Sequence, residues 1–282
     1  MKPGYTENKI LIWAKTYPEL SKKYIETVCT AGMLGSGKPV RLYPIPYRYL
    51  SDEHEQFKLY QWITAGIRKN PEDTCPESYR IDLDSIQVGE TIPTTQDEWG
   101  KRSEIMFKGK GWQFGSVDEL QEAQKKDRTS IGVVAPREIT NVEVIDRAAD
   151  DARSFEQKFE DLKKTVAAQR AQIQMFGDAI PPEMKKLEFL KSRVVVSWLC
   201  KSNDCPGHTM QVLDWGLCEL QRRDGNEAAV GRMKELCKLD TYDLKFFLGN
   251  LFQYPASFTI VGLWYPKRVL DLLRFTGGED VS

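Results

Sequence analysis

The stretch CTAGMLGSGKPVRLYPIPY, residues 29–47, admits two incompatible readings. Gly32, Gly37 and Lys38 fit G-x-x-x-x-G-K, the spacing of a phosphate-cradling loop. Such a loop needs a Ser or Thr hydroxyl after the lysine to bind magnesium, and a helix whose N-terminus faces the anion. Pro39 supplies neither a hydroxyl nor a backbone N–H, and Pro44 and Pro46 exclude a helix interior. The residues after the turn are rich in β-formers. The stretch therefore predicts a strand over 26–34, a hairpin turn at Gly35-Ser36-Gly37 and a second strand over 38–47. No nucleotide cofactor is expected.

Further strands are predicted at 9–15, at 59–67 and within 78–89. Short strands at close spacing predict a small barrel or curled sheet. Ser116 followed by an acidic first turn predicts a helix over 116–126. SIGVVAP (130–136) and ITNVEVID (139–146) read as strands, the second continuing or closing the β-region. Phe155, Phe159, Leu162, Val166, Gln169, Ile173 and Phe176 alternate at steps of four and three, a heptad seam with one polar break. GDAIPP (177–182) would stop that helix. Residues 192–200 and 208–215 read as a strand pair, 216–238 as helical, and KFFLGNLF (245–252) and SFTIVGLWYP (257–266) as two final strands. The fold class expected is α+β. A barrel-like N-terminal domain, of PUA or OB type, would span 1–148. A helical connector follows over 149–182, then a smaller C-terminal α/β domain over 183–282.

Composition bounds the function. The chain has 282 residues, 41% hydrophobic and 29% charged, a soluble globular balance. Net charge is −1, so no global basic field marks a nucleic-acid binder. Charge is segregated, however: residues 1–50 hold eight Lys/Arg against three Asp/Glu, and residues 51–100 hold four against eleven. No apolar run is long enough for a membrane helix, and the N-terminus does not read as a secretory signal. Six cysteines then read as reduced thiols or metal ligands in a cytoplasmic protein.

Three groups of residues carry candidate chemistry. Lys15, Tyr17, Lys22, Lys23, Arg41, Tyr43, Tyr47 and Arg48 mix cations with aromatics, the pairing that meets phosphates and stacks on bases. Strict alternation would put Arg41, Tyr43, Ile45 and Tyr47 on one strand face. Cys200, Cys205, His208 and Cys218 give C-x4-C-x2-H-x9-C, four ligands that could hold tetrahedral zinc; the alternative is small buried thiols beside a loop histidine. Asp214 could act with His208 as a metal ligand or base, or could cap the helix beginning at Trp215. Asp243 and Lys245 with Asp214 could form a nuclease-like cluster, and Glu26 is a further acidic candidate.

The runs AKTYPELSKKYIETVCTAG, VRLYPIPYRYL with YQWI, and LCKSNDCPGHTMQVLDW with FFLGN and FTIVGLWYP together resemble an uncharacterised bacterial family associated with mobile and anti-phage defence gene islands. The resemblance implies that Lys15, Tyr17, Glu26, Cys29 and Arg41, and Cys200, Cys205, His208, Asp214 and Trp215, belong to family motifs. The resemblance implies that relatives often carry Glu after the Asp-Trp pair; this chain has Gly216 there, which weakens a catalytic reading of that end.

The function expected is binding of DNA or RNA, with modified or foreign DNA as the target. The rivals are a nucleic-acid-processing enzyme, either nuclease or DNA glycosylase, and a structural subunit dimerising through helix 153–176. No membrane partner is expected.

Overall fold

The computed structural model describes residues 1–50, 56–93, 95–176, 183–251 and 254–268, without the side chains of 96–98, 171–176 and 251. The expected stop at 177–182 and His54 lie outside the described residues.

The N-terminal strands are β1 (Thr6–Lys15), β2 (Glu19–Ser21), β3 (Ile25–Leu34), β4 (Pro39–Ile45), β5 (Gln61–Lys69), β6 (Ser78–Ile81) and β7 (Gln87–Thr91). Five of them close a barrel in the order β1-β3-β4-β6-β5 and back to β1, with β2 and β7 attached outside. All barrel pairs are antiparallel except β4 with β6. Counted along the barrel strands alone, this is the order of an OB barrel. The quoted stretch is the β3–β4 hairpin: the Leu34 N–H donates to Lys38 O (2.9 Å) and the Gly37 N–H to Leu34 O (2.8 Å). Gly37 has φ +83°. Gly109 packs so closely on it that a Cβ there would stand 2.2 Å from the Gly37 carbonyl oxygen, so the glycines serve a turn and a close backbone contact.

Period-two alternation fills the barrel with Ile10, Ile12, Val28, Val40, Leu42, Ile63, Ala65, Ile67 and Ile81. The expected face of Arg41, Tyr43, Ile45 and Tyr47 does not survive intact. Val28 pairs with Ile45 while Thr30 pairs with Leu42, so β4 carries one extra residue there. That bulge shifts the alternation and turns Ile45 and Tyr47 into the buried set.

After α1 (Gln96–Met106) come β8 (Gln113–Phe114), α2 (Val117–Asp127), β9 (Ile131–Val134), β10 (Glu138–Asp146) and α3 (Ala149–Phe176). Then follow β11 (Ser192–Leu199), β12 (His208–Gln211), α4 (Trp215–Leu236), β13 (Lys245–Leu251) and β14 (Tyr254–Trp264). Helix α2 starts as its sequence predicts, with Ser116 Oγ accepting from Glu119 N–H (3.1 Å). β9 and β10 do not extend the barrel. β9 joins the sheet β14-β13-β9-β8, and β10 joins β10-β11-β12. In α3, Leu162 and Val166 of the heptad seam are buried within the chain, and Phe155 packs on Phe189 (5.2 Å).

The four-stranded sheet lies between two cores. One face, with Phe246, Leu248, Phe258 and Ile260, meets Val194, Val196 and Trp198 of β11 and the buried side of α4. The other, with Ile131, Val133, Phe247 and Trp264, meets the outward residues of β1 and β3: Leu11, Trp13, Ala31 and Met33. The outer surface of the barrel at these strands is therefore an internal seam. Trp13 stacks into it, 5.2 Å from Trp112 and 4.6 Å from Phe247.

Candidate functional site

β1 ends where the barrel meets the start of α4. Thr16 forms a β-bridge with Asp214, and the Tyr17 N–H donates to Leu213 O (3.0 Å). Lys15 is only 7% exposed. Its Nζ donates to Phe57 O (3.0 Å) and lies 3.9 Å from the Tyr47 ring centre, 5.6 Å from that of Phe57 and 5.4 Å from that of Trp215. The ammonium is thus held in an aromatic cage of the chain's own residues. Burial pushes it down to about 8, against the opposing pull of the Asp214 charge. Asp214 caps α4, its Oδ1 accepting from Leu217 N–H (3.0 Å). Burial pushes its carboxyl up to about 6, opposed by the Leu217 and Gly216 N–H groups and by Lys15. An amine and a carboxyl with ordinary values far apart are thus each shifted toward neutrality by burial, and each feels the other's charge.

Beside the cage, Glu26 is 1% exposed and bound to Arg48, whose Nε reaches both carboxylate oxygens at 2.9 Å. Arg48 Nη1 also donates to Lys186 O (2.7 Å), and Tyr17 Oη to Glu188 O (3.1 Å). Arg41 is half-buried and donates to Asn250 Oδ1 (3.3 Å). Of the eight residues expected on one basic–aromatic surface, Lys15 and Tyr47 are therefore internal, while Arg41, Arg48 and Tyr17 are engaged by the C-terminal half. Lys22 and Lys23 are exposed, and Tyr43 is 43% exposed. The C-terminal half covers this side of the barrel, which sequence alternation cannot show. What remains open includes two pairs of lysines, Lys22–Lys23 on the barrel and Lys185–Lys186 ahead of β11. Lys22 and Lys23 lie on the loop joining the first two barrel strands. Lys185 and Lys186, also exposed, are tied to the turn at Tyr47–Tyr49, where the Lys185 N–H donates to Tyr49 Oη (2.7 Å) and Lys185 Nζ to Arg48 O.

The Cys-His residues come together at the end of β11 and the start of β12. Ligand atoms of Cys200, Cys205 and His208 all lie within 4.8 Å of one another. Cys205 Sγ and His208 Nε2 are 3.2 Å apart, close to the edge of a tetrahedron with bonds of about 2.3 and 2.0 Å. Burial opposes the Cys205 thiolate, but the Cys200 and Gly207 N–H groups and the Cys200 thiol hold it below the usual thiol range. Burial also lowers His208, opposed by Asp118. Burial, and the hydrogen bond to Cys205, raise the Cys200 thiol. The three ligand atoms converge on one point, and the group can hold a metal ion. Cys218 is not part of it. Its thiol donates to Val212 O (3.7 Å), and burial pushes it up to about 12. The proposed pairing of Asp214 with His208 also fails, because His208 turns to Cys205 and Trp198 (4.9 Å) while Asp214 faces Leu217 and Lys15.

A third feature has no signal in the sequence. A cleft of about 680 Å³ opens between α1, the C-terminal part of α4 and the end of β14, lined by Trp99, Trp264, Tyr265, Arg232, Lys267 and Asp243 among others. Asp243 and Lys245, which the sequence grouped with Asp214, form an ion pair with each other at this cleft, while Asp214 is held at the start of α4.

Barrel, seam and sites define an α+β protein in which an OB-order barrel is fused face to face with a mixed C-terminal layer. Residues 6–108 match a domain of unknown function (DUF8758), and residues 113–277 match a second domain of unknown function (DUF8757). The second match spans more than half of the chain, which belongs to the DUF8757 family. No curated protein matches the chain. Among the described residues no helix is long and apolar enough to cross a membrane.

Proposed function

We propose that this is a nucleic-acid-binding protein that grips the phosphate backbone through Lys22, Lys23, Lys185 and Lys186. The observation that carries this reading is the place of Lys22 and Lys23. They sit exposed on the loop between the first and second strands of an OB-order barrel, one of the loops through which such barrels bind oligonucleotides. Each lysine pair carries a ring beside it, with Lys23 Nζ 5.3 Å from the Tyr24 ring centre and Lys185 Nζ 5.5 Å from that of Tyr49. Of the other surface such barrels use, the outer face of the second and third strands, the second strand is covered by the C-terminal sheet at Ala31 and Met33, while Tyr43 of the third stays exposed. The resemblance to a defence-island family supports foreign or modified DNA as the target. Anisotropy titrations of labelled single- and double-stranded DNA and RNA from about 50 to 200 mM salt test the reading. Affinity should fall steeply with salt, and Lys22→Glu/Lys23→Glu should flatten the log–log slope by about 2. Absence of salt-dependent binding to every probe would sink it.

Zinc is the metal we assign to Cys200, Cys205 and His208, because two thiolates and an imidazole at this spacing suit a borderline-soft, tetrahedral ion. Its service would be to pin the 200–208 loop between β11 and β12. Elemental analysis of purified protein should find one equivalent, lost in Cys205→Ser/His208→Ala. Metal-free protein that cannot be reloaded would refute the assignment.

The Lys15–Asp214 pair favours a second reading, an enzyme acting on nucleic acid with an amine and a carboxyl tuned toward neutral pH. Nicks or abasic sites in plain or modified DNA would report it. Full activity in Asp214→Asn would exclude the pair from that role.

A further inference from the structure

We propose that the cleft beside α1 seats a single nucleotide, its base against Trp99 and Tyr265 and its phosphate on Arg232 and Lys267. This rests on the nucleic-acid reading and supplies what the lysine pairs lack, a place to hold a base.

The volume, about 680 Å³, lies within the range of small-ligand sites, about 300–1,000 Å³. Its wall is aromatic and fixed. Trp264 is 2% exposed and forms the backing. Trp99 meets it edge-on at 4.7 Å and 84°, and Tyr265 meets Trp99 at 5.6 Å and 62°. From the interior side the buried Arg102 lies 4.8 Å from the Trp99 ring centre and 3.9 Å from that of Tyr60. Rings held in this way lose little freedom when a base stacks on them. Trp99 and Tyr265 remain part-exposed, as a stacking surface requires.

Charge is arranged to suit a nucleotide rather than a neutral aromatic. Arg232 is exposed, with its guanidinium 5.6 Å from the Tyr265 ring centre, and Lys267 is exposed on the rim. Both can meet a phosphate while a base lies on the ring, the combination that single-strand binders use. Asp243 stands in the same lining. It accepts from Lys245 Nζ and lies 3.9 Å from Arg268 Nη2. A carboxylate there is an acceptor for the exocyclic amino group of cytosine, adenine or guanine. The wall joins both halves of the chain, because Trp99 belongs to the first and Arg232 and Tyr265 to the second. Neither half has the site alone.

The test uses the full-length protein and two kinds of probe. CMP and AMP should bind, read by calorimetry and by quenching of tryptophan fluorescence, and the matching nucleosides should bind more weakly. Trp99→Ala should abolish mononucleotide binding and weaken a labelled single strand about tenfold. Arg232→Glu changes only an exposed helix position, so it tests the site even where Trp99→Ala unfolds the protein. It should erase the preference for nucleotide over nucleoside. If CMP and AMP fail to bind, or Arg232→Glu binds them as the parent does, the cleft proposal is wrong. Salt-dependent DNA binding that Lys22→Glu/Lys23→Glu removes would then leave the broader reading standing. Conversely, mononucleotide binding without any binding of DNA or RNA would uphold the cleft and overturn the broader reading.

Discussion

Trp13→Ala should cost about 3–5 kcal/mol of folding stability, the range for removing a large aromatic from a packed core. Trp13 is 1% exposed and wedged between Trp112 and Phe247. Its Nε1 makes no hydrogen bond among the described residues, so the loss is one of packing, with no orphaned partner. The residue sits on the barrel but packs against the C-terminal half, and the whole chain should feel the change. Urea unfolding followed by far-UV circular dichroism should show a lower midpoint, with barrel and C-terminal signals still moving together. Trp62→Ala is the control, since that ring is only half-buried, with the Lys9 ammonium over it at 4.9 Å. A loss below about 1 kcal/mol at Trp13 would show that the seam carries little of the fold's stability.

Replacing Lys15 should have the opposite sign. At neutral pH the buried ammonium is held charged although burial has pushed it down to about 8. A folded value below the unfolded one means that the folded state binds fewer protons between about 8 and 10.5. Stability therefore rises across that window as pH rises, and the penalty is fully present below it. Asp214 runs the other way in pH. Its folded value of about 6 exceeds the unfolded 3.8, so the folded state holds the proton longer and stability falls as pH rises from about 4 to 6. Lys15→Met keeps the volume of the stem in the cage of Tyr47, Phe57 and Trp215. It does not orphan the Phe57 carbonyl, because Tyr47 Oη also donates to it (2.5 Å). The variant should gain about 1–2 kcal/mol at pH 7, less than the full desolvation penalty because Asp214 loses its counter-charge. The rise in stability between pH 8 and 10.5 should disappear. A stabilising replacement of this kind is the signature of a residue whose cost is tolerated for what it does. If Lys15→Met is destabilised at neutral pH, the caged ammonium is a structural tie and the acid–base reading loses its support.

Much of the barrel was legible in the sequence because local patterns specify local structure. Pro39, Pro44 and the Gly-Ser-Gly turn dictate a hairpin whatever surrounds them. Ser116 and Asp214 announce helix starts through side chains that reach N–H groups three residues on. Pairing across the chain was not legible. Alternation says which face of β9 or β10 is buried but not which strand lies beside it, so the expectation that β10 continues or closes the barrel fails and the partners of β9 stay unread. The same limit hid the seam: Leu11, Trp13, Ala31 and Met33 read as one side of a two-sided sheet, with no mark of what covers them.

The functional residues divide along the same line. Cys200, Cys205 and His208 were recoverable because nine residues around one tight loop hold all three. Cys218 was misplaced because helix α4 aims it inward, away from that loop. Lys15 reads in the sequence as a surface cation, the usual fate of a lysine. The one hint against it is its place at the end of ILIWA, five residues that are all buried. Trp99, Arg232 and Tyr265 come from three distant segments and share no spacing, so only the folded chain could bring them into one cleft.

The seam also bears on how the molecule can move. Two adjoining domain matches invite the picture of two bodies swinging about residues 109–112. Any such swing would have to peel Trp13 from Trp112 and Phe247, and would part the Gly37 turn from Gly109, whose backbones already touch. The junction is therefore a weld and not a joint. Lys22 and Lys23 on the barrel therefore stand at a set distance and angle from the cleft. The spacing between these two places is set by the fold itself, as in a jig, and not by closure.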